Sequence, residues 1–177
     1  MKYIILLRGI NVSGKNIIKM APFRELLAGH GFKNINTYIQ SGNISLEANV
    51  STNLELENKI SKIIKEEYGY IVPVIARDKK YVNKVISDQP YDLDTHDFKR
   101  LAVTFLENKP SNDKIEALRK YDFSPDKFTI FDDIVYVFCP TGFGKTKITN
   151  VFFEKKLGVK ATSRNWRTSL KLKNMLD

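Results

Sequence analysis

The sequence predicts an α+β protein made of two lobes of the duplicated ferredoxin-like type. Two observations carry this prediction. The elements of the first half follow the order β-α-β-β-α-β, and the second half nearly repeats that order without repeating the residues. We therefore expect a βαββαβ lobe over residues 1–77 and a βαββα lobe over residues 78–177. Each should have an antiparallel-rich sheet with helices on one face.

The first lobe is delimited by apolar periodicity and by turn residues. Its predicted elements are a strand over 3–8, a helix over 20–29, strands over 35–40 and 43–48, a helix over 52–67 and a strand over 71–76. The first strand is almost entirely apolar, which predicts a central position in the sheet. The turn Ser41-Gly42-Asn43 joins a hairpin, and Thr52 with Glu55 forms a capping box that begins the long helix.

The second lobe follows a linker or loop over residues 90–97. Its predicted elements are a helix over 78–88, a strand over 100–106, a helix over 112–121, strands over 127–131 and 134–139, and helices over 145–156 and 163–176. Asp132 and Asp133 form the turn between the paired strands. The last helix is expected to begin at Thr162 or Ser163 and to bury Trp166 and Leu170.

Composition narrows the class of protein. The chain has 177 residues, of which 42% are hydrophobic, and it contains no run of the roughly 20 apolar residues that a membrane helix needs. The single cysteine, Cys139, excludes an internal disulfide and a cysteine metal cage. We expect a cytoplasmic protein with no membrane partner, cofactor or metal, and leave its oligomeric state open.

The net charge of +9 is concentrated near the C-terminal end of the chain. Residues 141–177 carry nine basic and two acidic side chains, whereas residues 77–140 are close to neutral. A local basic surface favours nucleic acid, nucleotides or phosphorylated metabolites as partners. The alternative, a solvated lysine-rich face without a partner, stays open.

The loop after the first strand has the spacing of a phosphate-binding loop, with Gly9, Gly14 and Lys15. However, Asn16 stands where Ser or Thr would bind magnesium, and a hairpin rather than a parallel βαβ unit follows. These departures exclude an ATPase or GTPase. A backbone nest for an anion and a purely structural glycine turn both remain possible.

Two later segments also contain residues that could bind a phosphate group. Gly142, Lys145, Thr146 and Lys147 could meet a phosphate at the start of a helix, or form a hinge into a helix that buries Ile148, Val151, Phe152 and Leu157. Arg164 and Arg167 could bind phosphate beside a stacking Trp166, although a single tryptophan in a helix stripe more often anchors the core.

Other constellations are weaker. The spacing of Asp92, Asp94, His96 and Asp97 hints at a calcium loop, but the required glycine and bidentate acid are missing. Aromatic residues of the predicted strands could form an RNA-binding face, but no RNP1 pattern is present, so most of them should be core.

Three motifs in the same order give the chain its resemblance to a known family. They are Arg8-Gly9-Ile10-Asn11-Val12 with Gly14-Lys15-Asn16, then Tyr38-Ile39-Gln40-Ser41-Gly42-Asn43, then Arg164-Asn165-Trp166 with Thr168. The chain resembles the bacterial family called domain of unknown function 1697, although Ser13 stands where that family often has glycine. The resemblance implies a duplicated ferredoxin-like fold and no established activity.

These motifs predict one polar cleft between the lobes that binds an anionic or phosphate-bearing ligand, with nucleic acid the first candidate. The expected site residues are Arg8, Asn11, Lys15, Asn16, Gln40, Ser41, Asn43, Arg164 and Asn165. Two alternatives stay open. The protein could be an enzyme acting on a small anionic metabolite, or the motifs could be purely structural.

Overall fold

The computed structural model of the protein describes residues 1–92 and 97–177, which divide into two compact units. Unit 1 comprises Met1–Lys84 together with Leu172–Asp177, and unit 2 comprises Val85–Lys171. Each unit contains a four-stranded sheet with antiparallel pairing throughout. The predicted α+β class with duplicated ferredoxin-like lobes is therefore confirmed.

Unit 1 has the order β-α-β-β-α-β. Its elements are β1 (Lys2–Leu7), α1 (Met20–Gly29), β2 (Lys33–Tyr38), β3 (Asn43–Glu47), α2 (Asn53–Tyr68) and β4 (Val74–Asp78). The strands lie in the order β2-β3-β1-β4, so β1 is an inner strand, as its apolar run predicts. Ile4 and Ile5 point to opposite faces of β1, and both are fully buried.

The two helices of unit 1 cover one face of the sheet. Phe23 of α1 and Ile60 of α2 belong to the same buried cluster as Ile5 of β1. The predicted cap of α2 forms, because the Thr52 hydroxyl accepts a hydrogen bond from the Glu55 amide at 3.1 Å. The Glu55 carboxylate reaches the amide of Ser51 rather than that of Thr52, which shifts the reciprocal bond by one residue.

Unit 2 repeats this order. The remaining elements are α3 (Lys79–Ser87), a 3-10 turn (Phe98–Arg100), β5 (Leu101–Leu106), α4 (Asn112–Arg119), β6 (Lys127–Phe131), β7 (Ile134–Phe138), α5 (Asn150–Leu157), β8 (Ala161–Asn165) and α6 (Trp166–Asn174). The strand order β6-β7-β5-β8 matches that of unit 1. Ile115 of α4 and Phe153 of α5 pack in one cluster with Val135 and Val137 of β7.

The helix predicted over residues 163–176 is wrong in its first part. Ala161–Asn165 instead forms β8, which pairs with β5, and the second lobe is therefore βαββαβ rather than βαββα. The sequence Ala-Thr-Ser-Arg-Asn has no apolar periodicity that favours a strand, so the open backbone edge of β5 decides its structure. In α6, Trp166 is buried as expected, but Leu170, which was predicted to be buried, is 38% exposed.

The helix predicted over residues 145–156 also begins later than expected. Thr149 caps α5, because its hydroxyl accepts a hydrogen bond from the Phe152 amide at 3.2 Å. Val151 was predicted to pack inward but is 64% exposed. Lys145 and Lys147 lie in the loop before the cap, so the prediction that they stand at the start of a helix is wrong.

Two further features bear on function. No helix in the described part of the chain is both long enough and apolar enough to cross a bilayer. Across the described ranges, no group of His, Cys, Asp and Glu side chains could hold a metal ion. Asp94 and His96 of the calcium-loop hypothesis lie outside the described residues. Asp97 accepts a hydrogen bond from the Lys99 amide at 2.9 Å and so caps the 3-10 turn.

Candidate functional site

The loop after β1 turns sharply because several of its residues adopt left-handed backbone conformations. Gly14 has a φ of 74°, and the non-glycine residues Asn11, Ser13 and Asn16 have φ values of 54°, 50° and 48°. Asparagine tolerates this region because its short side chain bonds locally to the backbone. Val12 and Lys15 pair across the Ser13-Gly14 turn, which presents both side chains to solvent.

Asn11 joins this loop to the turn between β2 and β3. Its side-chain amide donates to the carbonyl of Ile18 at 2.8 Å and to the carbonyl of Gln40 at 2.7 Å. The side-chain oxygen Oδ1 of Asn11 accepts a hydrogen bond from the backbone amide of Ile18 at 2.9 Å. Both donor hydrogens are therefore engaged by backbone groups, which leaves this side chain a positioning role and no free donor for a ligand.

Two other predicted asparagines also bond inside the protein. The Asn16 side chain donates to the Gly9 carbonyl at 3.0 Å, which closes the base of the loop. Asn43 is fully buried, and its amide donates to the Tyr38 carbonyl at 3.1 Å and to the Ser41 hydroxyl at 2.8 Å. A buried amide needs such partners, so Asn43 stabilises the turn from within.

The turn over residues 38–43 packs closely against the end of β1. The Leu7 amide donates to the Gly42 carbonyl at 2.9 Å, and a Cβ atom at Gly42 would lie only 2.6 Å from the Cβ of Leu7. Gln40 reaches the start of α1, where its side-chain oxygen accepts from the Met20 amide at 3.4 Å. The first two sequence motifs therefore converge at one end of the unit 1 sheet.

This end of unit 1 presents cations together with exposed apolar side chains. Lys15 is exposed and Arg8 is half-buried. Val12, Ile17 and Ile39 are 59%, 46% and 53% exposed. Ile39 has a φ of 49°, a left-handed backbone conformation that is strained for a β-branched residue. The tight packing of the turn holds this conformation. The asparagines hold the loop in shape, and Lys15 faces solvent at its tip.

The other two predicted site residues belong to unit 2. Arg164 lies in β8 and is only 8% exposed, and its guanidinium donates to the Thr162 hydroxyl at 2.7 Å and the Ser163 carbonyl at 2.9 Å. Asn165 caps α6, because its side-chain oxygen accepts from the Thr168 amide at 2.8 Å. The cap predicted at Thr162 or Ser163 is therefore wrong. The single cleft shared by both groups stays a prediction.

Asn165 also faces solvent beside two cations. It lines a cavity of about 480 Å³ with Phe98, Lys99 and Arg167. Trp166 does not take part in this surface, since it is only 3% exposed. The interpretation of Trp166 as an anchor is therefore confirmed, and a stacking role for it is wrong.

Of the six aromatic residues predicted in strands as a possible RNA-binding face, three are buried, and Tyr38 and Phe128 are half-buried. Phe105, Tyr136 and Phe138 are at most 8% exposed, whereas Phe131 is 44% exposed. The phenol of Tyr136 donates to the Val85 carbonyl at 2.9 Å, and burial raises its pKa. The buried rings of Phe105, Tyr136 and Phe138 cannot stack on nucleic-acid bases.

Sequence reasoning selected Lys145 and Lys147 but missed the aromatic residues of unit 2 that lie near them. Lys127 at the start of β6 pairs with Phe138 at the end of β7, so the segments before and after this hairpin leave the sheet at the same end. The run Tyr121-Asp122-Phe123 precedes the hairpin, and the Gly142–Lys147 loop follows it. The hairpin topology predicted from sequence was the signal that could have brought these two segments together.

Cys139 lies next to this group and is fully buried. Burial raises the pKa of its thiol, and the negative charge of nearby Asp126 raises it further, whereas a hydrogen bond with Thr146 acts in the opposite direction. A buried thiol held in its neutral form is a poor nucleophile. The interpretation of Cys139 as packing therefore agrees with its surroundings.

Comparison with known proteins supplies the family. The model of the family described as protein of unknown function (DUF1697) matches residues 1–136. The chain belongs to the DUF1697 family. The resemblance inferred from the motifs is thereby confirmed. The match includes the two motifs of unit 1, whereas the motif over residues 164–168 lies beyond it.

A solved structure extends the similarity of this DUF1697 protein to almost the whole chain. It is the structure of conserved bacterial protein SP0830 from Streptococcus pneumoniae, with a TM-score of 0.78 and 23% sequence identity. The alignment covers 99% of this chain and 98% of that chain. At this identity the likeness concerns the fold. No curated protein matches the sequence.

Proposed function

We propose that this DUF1697 protein binds an anionic, phosphate-bearing ligand, and that the ligand is nucleic acid. One observation carries the proposal: the positive charge of residues 141–177 is on the surface. Of the nine basic side chains in this segment, seven are exposed, and Arg164 is the one that is buried. The exposed side chains are Lys145, Lys147, Lys155, Lys156, Lys160, Arg167 and Lys171.

The distribution of these cations favours a polymer over a small anion. Lys145 and Lys147 precede α5, Lys155 and Lys156 are in its last turn, and Lys171 is in α6. Side chains on several separate elements cannot all contact one small phosphate. A chain of phosphates can meet many of them together, and each contact releases a counterion.

The loop of unit 1 supports the same proposal with two further cations. Lys15 is presented to solvent by the Val12–Lys15 pair, and Arg8 lies at the end of β1. Asn11 and Asn16 keep the loop in shape through backbone contacts. In this proposal the cations bind phosphate and the asparagines only position the loop.

The test is a salt titration of binding, measured by fluorescence anisotropy with labelled oligonucleotides and the full chain. We expect the logarithm of the association constant to fall linearly with the logarithm of salt concentration, with a slope of about −0.7 to −0.9 for each phosphate contacted. The triple variant Lys155→Gln/Lys160→Gln/Lys171→Gln should bind more weakly and have a shallower slope. The matched triple variant Lys59→Gln/Lys62→Gln/Lys65→Gln, from exposed positions on α2, should change neither.

Two outcomes would contradict the proposal. One is that neither DNA nor RNA binds at low salt. The other is a slope that corresponds to only one or two charges together with tight binding of a small phosphorylated compound, which would favour an enzyme or carrier acting on a metabolite.

A further inference from the structure

Unit 2 has a cavity of about 460 Å³ at the end of its sheet where β6 begins and β7 ends. One wall comes from the segment before β6 and includes Asp122, Phe123 and Asp126. A second wall comes from the loop after β7 and includes Lys145 and Lys147. This volume is within the range of about 300–1,000 Å³ that is typical of small-molecule sites.

The carboxylate side of the cavity can accept hydrogen bonds. The Asp122 side chain accepts from the amide and the hydroxyl of Ser124, at 2.9 and 2.7 Å. These bonds keep the pKa of Asp122 below its usual value, so this carboxylate is ionised at neutral pH. The Oδ1 atom of Asp126 is buried and accepts no hydrogen bond. The Asp126 carboxylate also raises the pKa of the neighbouring Cys139 thiol through its charge and a hydrogen bond, so a ligand donor would add to that contact.

The second wall supplies positive charge. Lys145 and Lys147 are both exposed, and they stand one residue apart on either side of Thr146. Because both line the cavity, an anionic group bound there would meet their ammonium groups. A simple anion, however, would also meet the two carboxylates of the cavity, so charge alone does not describe the ligand that fits here.

Aromatic rings stand beside the cavity. The rings of Tyr121 and Phe123 are nearly parallel, with an interplanar angle of 8° and centroids 6.0 Å apart. Phe152 supports both of them edge-on, at 5.4 and 5.1 Å. Tyr121 is 40% exposed, and the ammonium of Lys156 lies 4.7 Å from its ring centroid. Phe123 lines the cavity, and Tyr121 lines an adjoining one that shares Asp122 and Phe123 with it. A base that stacks on the face of Tyr121 now covered by Lys156 must displace that ammonium. Aromatic rings together with lysines are typical of single-stranded nucleic acid sites.

We propose that this cavity binds a nucleotide unit whose base is unpaired, within single-stranded nucleic acid. Lys145 and Lys147 receive the phosphate, the carboxylates of Asp122 and Asp126 accept from the N–H groups of the base, and Tyr121 offers a stacking surface. A nucleotide satisfies both walls because it carries negative charge at one end and donors at the other. The inference rests on the proposed function and names the form of nucleic acid.

The first experiment compares ligands by fluorescence anisotropy on the full chain. A single-stranded oligonucleotide should bind at least about tenfold more tightly than a duplex of the same sequence, as stacking of one base implies. Duplex binding of equal or greater strength would overturn the inference and leave the proposed function intact. Failure of both ligands to bind would overturn both.

A competition series identifies the source of the nucleotide. Cytidine and adenosine monophosphates should displace the oligonucleotide, and inorganic phosphate at the same concentration should not. If the monophosphate binds as tightly as the oligonucleotide, a free nucleotide is the occupant, which would overturn the inference that the site serves single-stranded nucleic acid. Equal displacement by inorganic phosphate would overturn the role of the base.

Variants locate the site. Tyr121→Leu and the pair Lys145→Gln/Lys147→Gln should each weaken single-strand binding by about tenfold. The pair Lys62→Gln/Lys65→Gln removes the same charge from exposed positions on α2 and should cost less than about threefold. Tyr121→Leu should leave the salt slope unchanged, since it removes no charge. Equal losses in the two lysine pairs, with no loss in Tyr121→Leu, would overturn the site but not the nucleic-acid function.

Discussion

The side-chain amide of Asn11 donates a hydrogen bond to the backbone carbonyl of Gln40 at 2.7 Å, across 29 positions of sequence. The same side chain makes a reciprocal pair of bonds with the backbone of Ile18. Asn11 thus fixes three segments of unit 1 relative to each other. The role of Asn11 in the first sequence motif is therefore to hold the loop in place.

Replacing Asn11 should destabilise the protein. Asn11→Ala removes three hydrogen bonds and keeps the left-handed backbone, so we expect the free energy of unfolding to fall by about 2 kcal/mol or more. Asn11→Gly is the matched variant, because it loses the same bonds but relieves the backbone strain, and it should retain about 1 kcal/mol more. Urea denaturation measures both. Equal stability of wild type and Asn11→Ala would contradict the bracing role.

Gly42 should tolerate no side chain. It has a φ of 76°, and a Cβ atom there would lie 2.6 Å from the Cβ of Leu7 and 2.9 Å from the Cδ1 of Ile10. We expect Gly42→Ala to lower the free energy of unfolding by more than about 2 kcal/mol, from backbone strain and overpacking together.

Gly14→Ala is the control for Gly42, because its φ of 74° is almost the same but nothing lies within 4 Å of the added atom. Gly14→Ala should lower the free energy of unfolding by only about 1 kcal/mol, because it adds backbone strain without overpacking. Similar losses in the two variants, compared by thermal or chemical denaturation, would show that packing against β1 does not matter.

Breaking the buried ion pair formed by Glu57 of α2 and Arg77 of β4 should strongly destabilise the protein. Glu57 accepts from the Ala76 amide at 2.8 Å and from the Arg77 guanidinium at 3.3 Å, and both charged residues are less than 8% exposed. Glu57→Ala leaves a buried cation and an unsatisfied amide, so we expect a loss of about 3–5 kcal/mol.

Glu66 provides the control for that prediction on the same helix. It pairs with Lys62 at 3.7 Å in solvent, so Glu66→Ala should change the free energy of unfolding by less than about 0.5 kcal/mol. Chemical denaturation of both variants checks the contrast. A small effect of Glu57→Ala would mean that the buried pair adds little beyond what a neutral contact supplies.

The thiol of Cys139 should be inert in the folded protein. Because burial raises its pKa, the folded state holds the thiol proton more tightly than the unfolded state does. Stability contributed by this group is therefore present below the ordinary thiol pKa and is lost as pH rises above it. We expect a colorimetric thiol reagent to react on the order of 100-fold more slowly with native than with denatured protein. Equal rates would contradict burial of the sulfur, and Cys139→Ala supplies the blank.

Elements with strong local signals could be predicted closely. The apolar spacing of residues 20–29 gave the bounds of α1, and Thr52 with Glu55 marked the start of α2. Residues 161–165 carry no such signal. Their strand exists because β5 offers a backbone edge, which no local pattern records.

For the candidate site, the sequence allowed the residues to be selected but did not allow their roles to be predicted. The motif residues could be selected because glycine, asparagine and lysine are unusual together after a buried strand. Their roles could not be predicted, because the partners of Asn11 and Asn43 are backbone carbonyls whose positions depend on the fold. Likewise, Phe123 and Lys145 come from segments that meet only because β6 and β7 pair in one register.

By itself, the sequence determined the α+β class, the order of most elements, the family motifs and the excess of positive charge near the C-terminal end. These depend on side-chain chemistry and short-range periodicity, which the chain carries wherever it folds. The tertiary structure alone decided which polar groups are consumed by backbone partners and which cations and aromatic rings face solvent. Those outcomes depend on contacts between residues distant in sequence, such as Asn11 with Gln40.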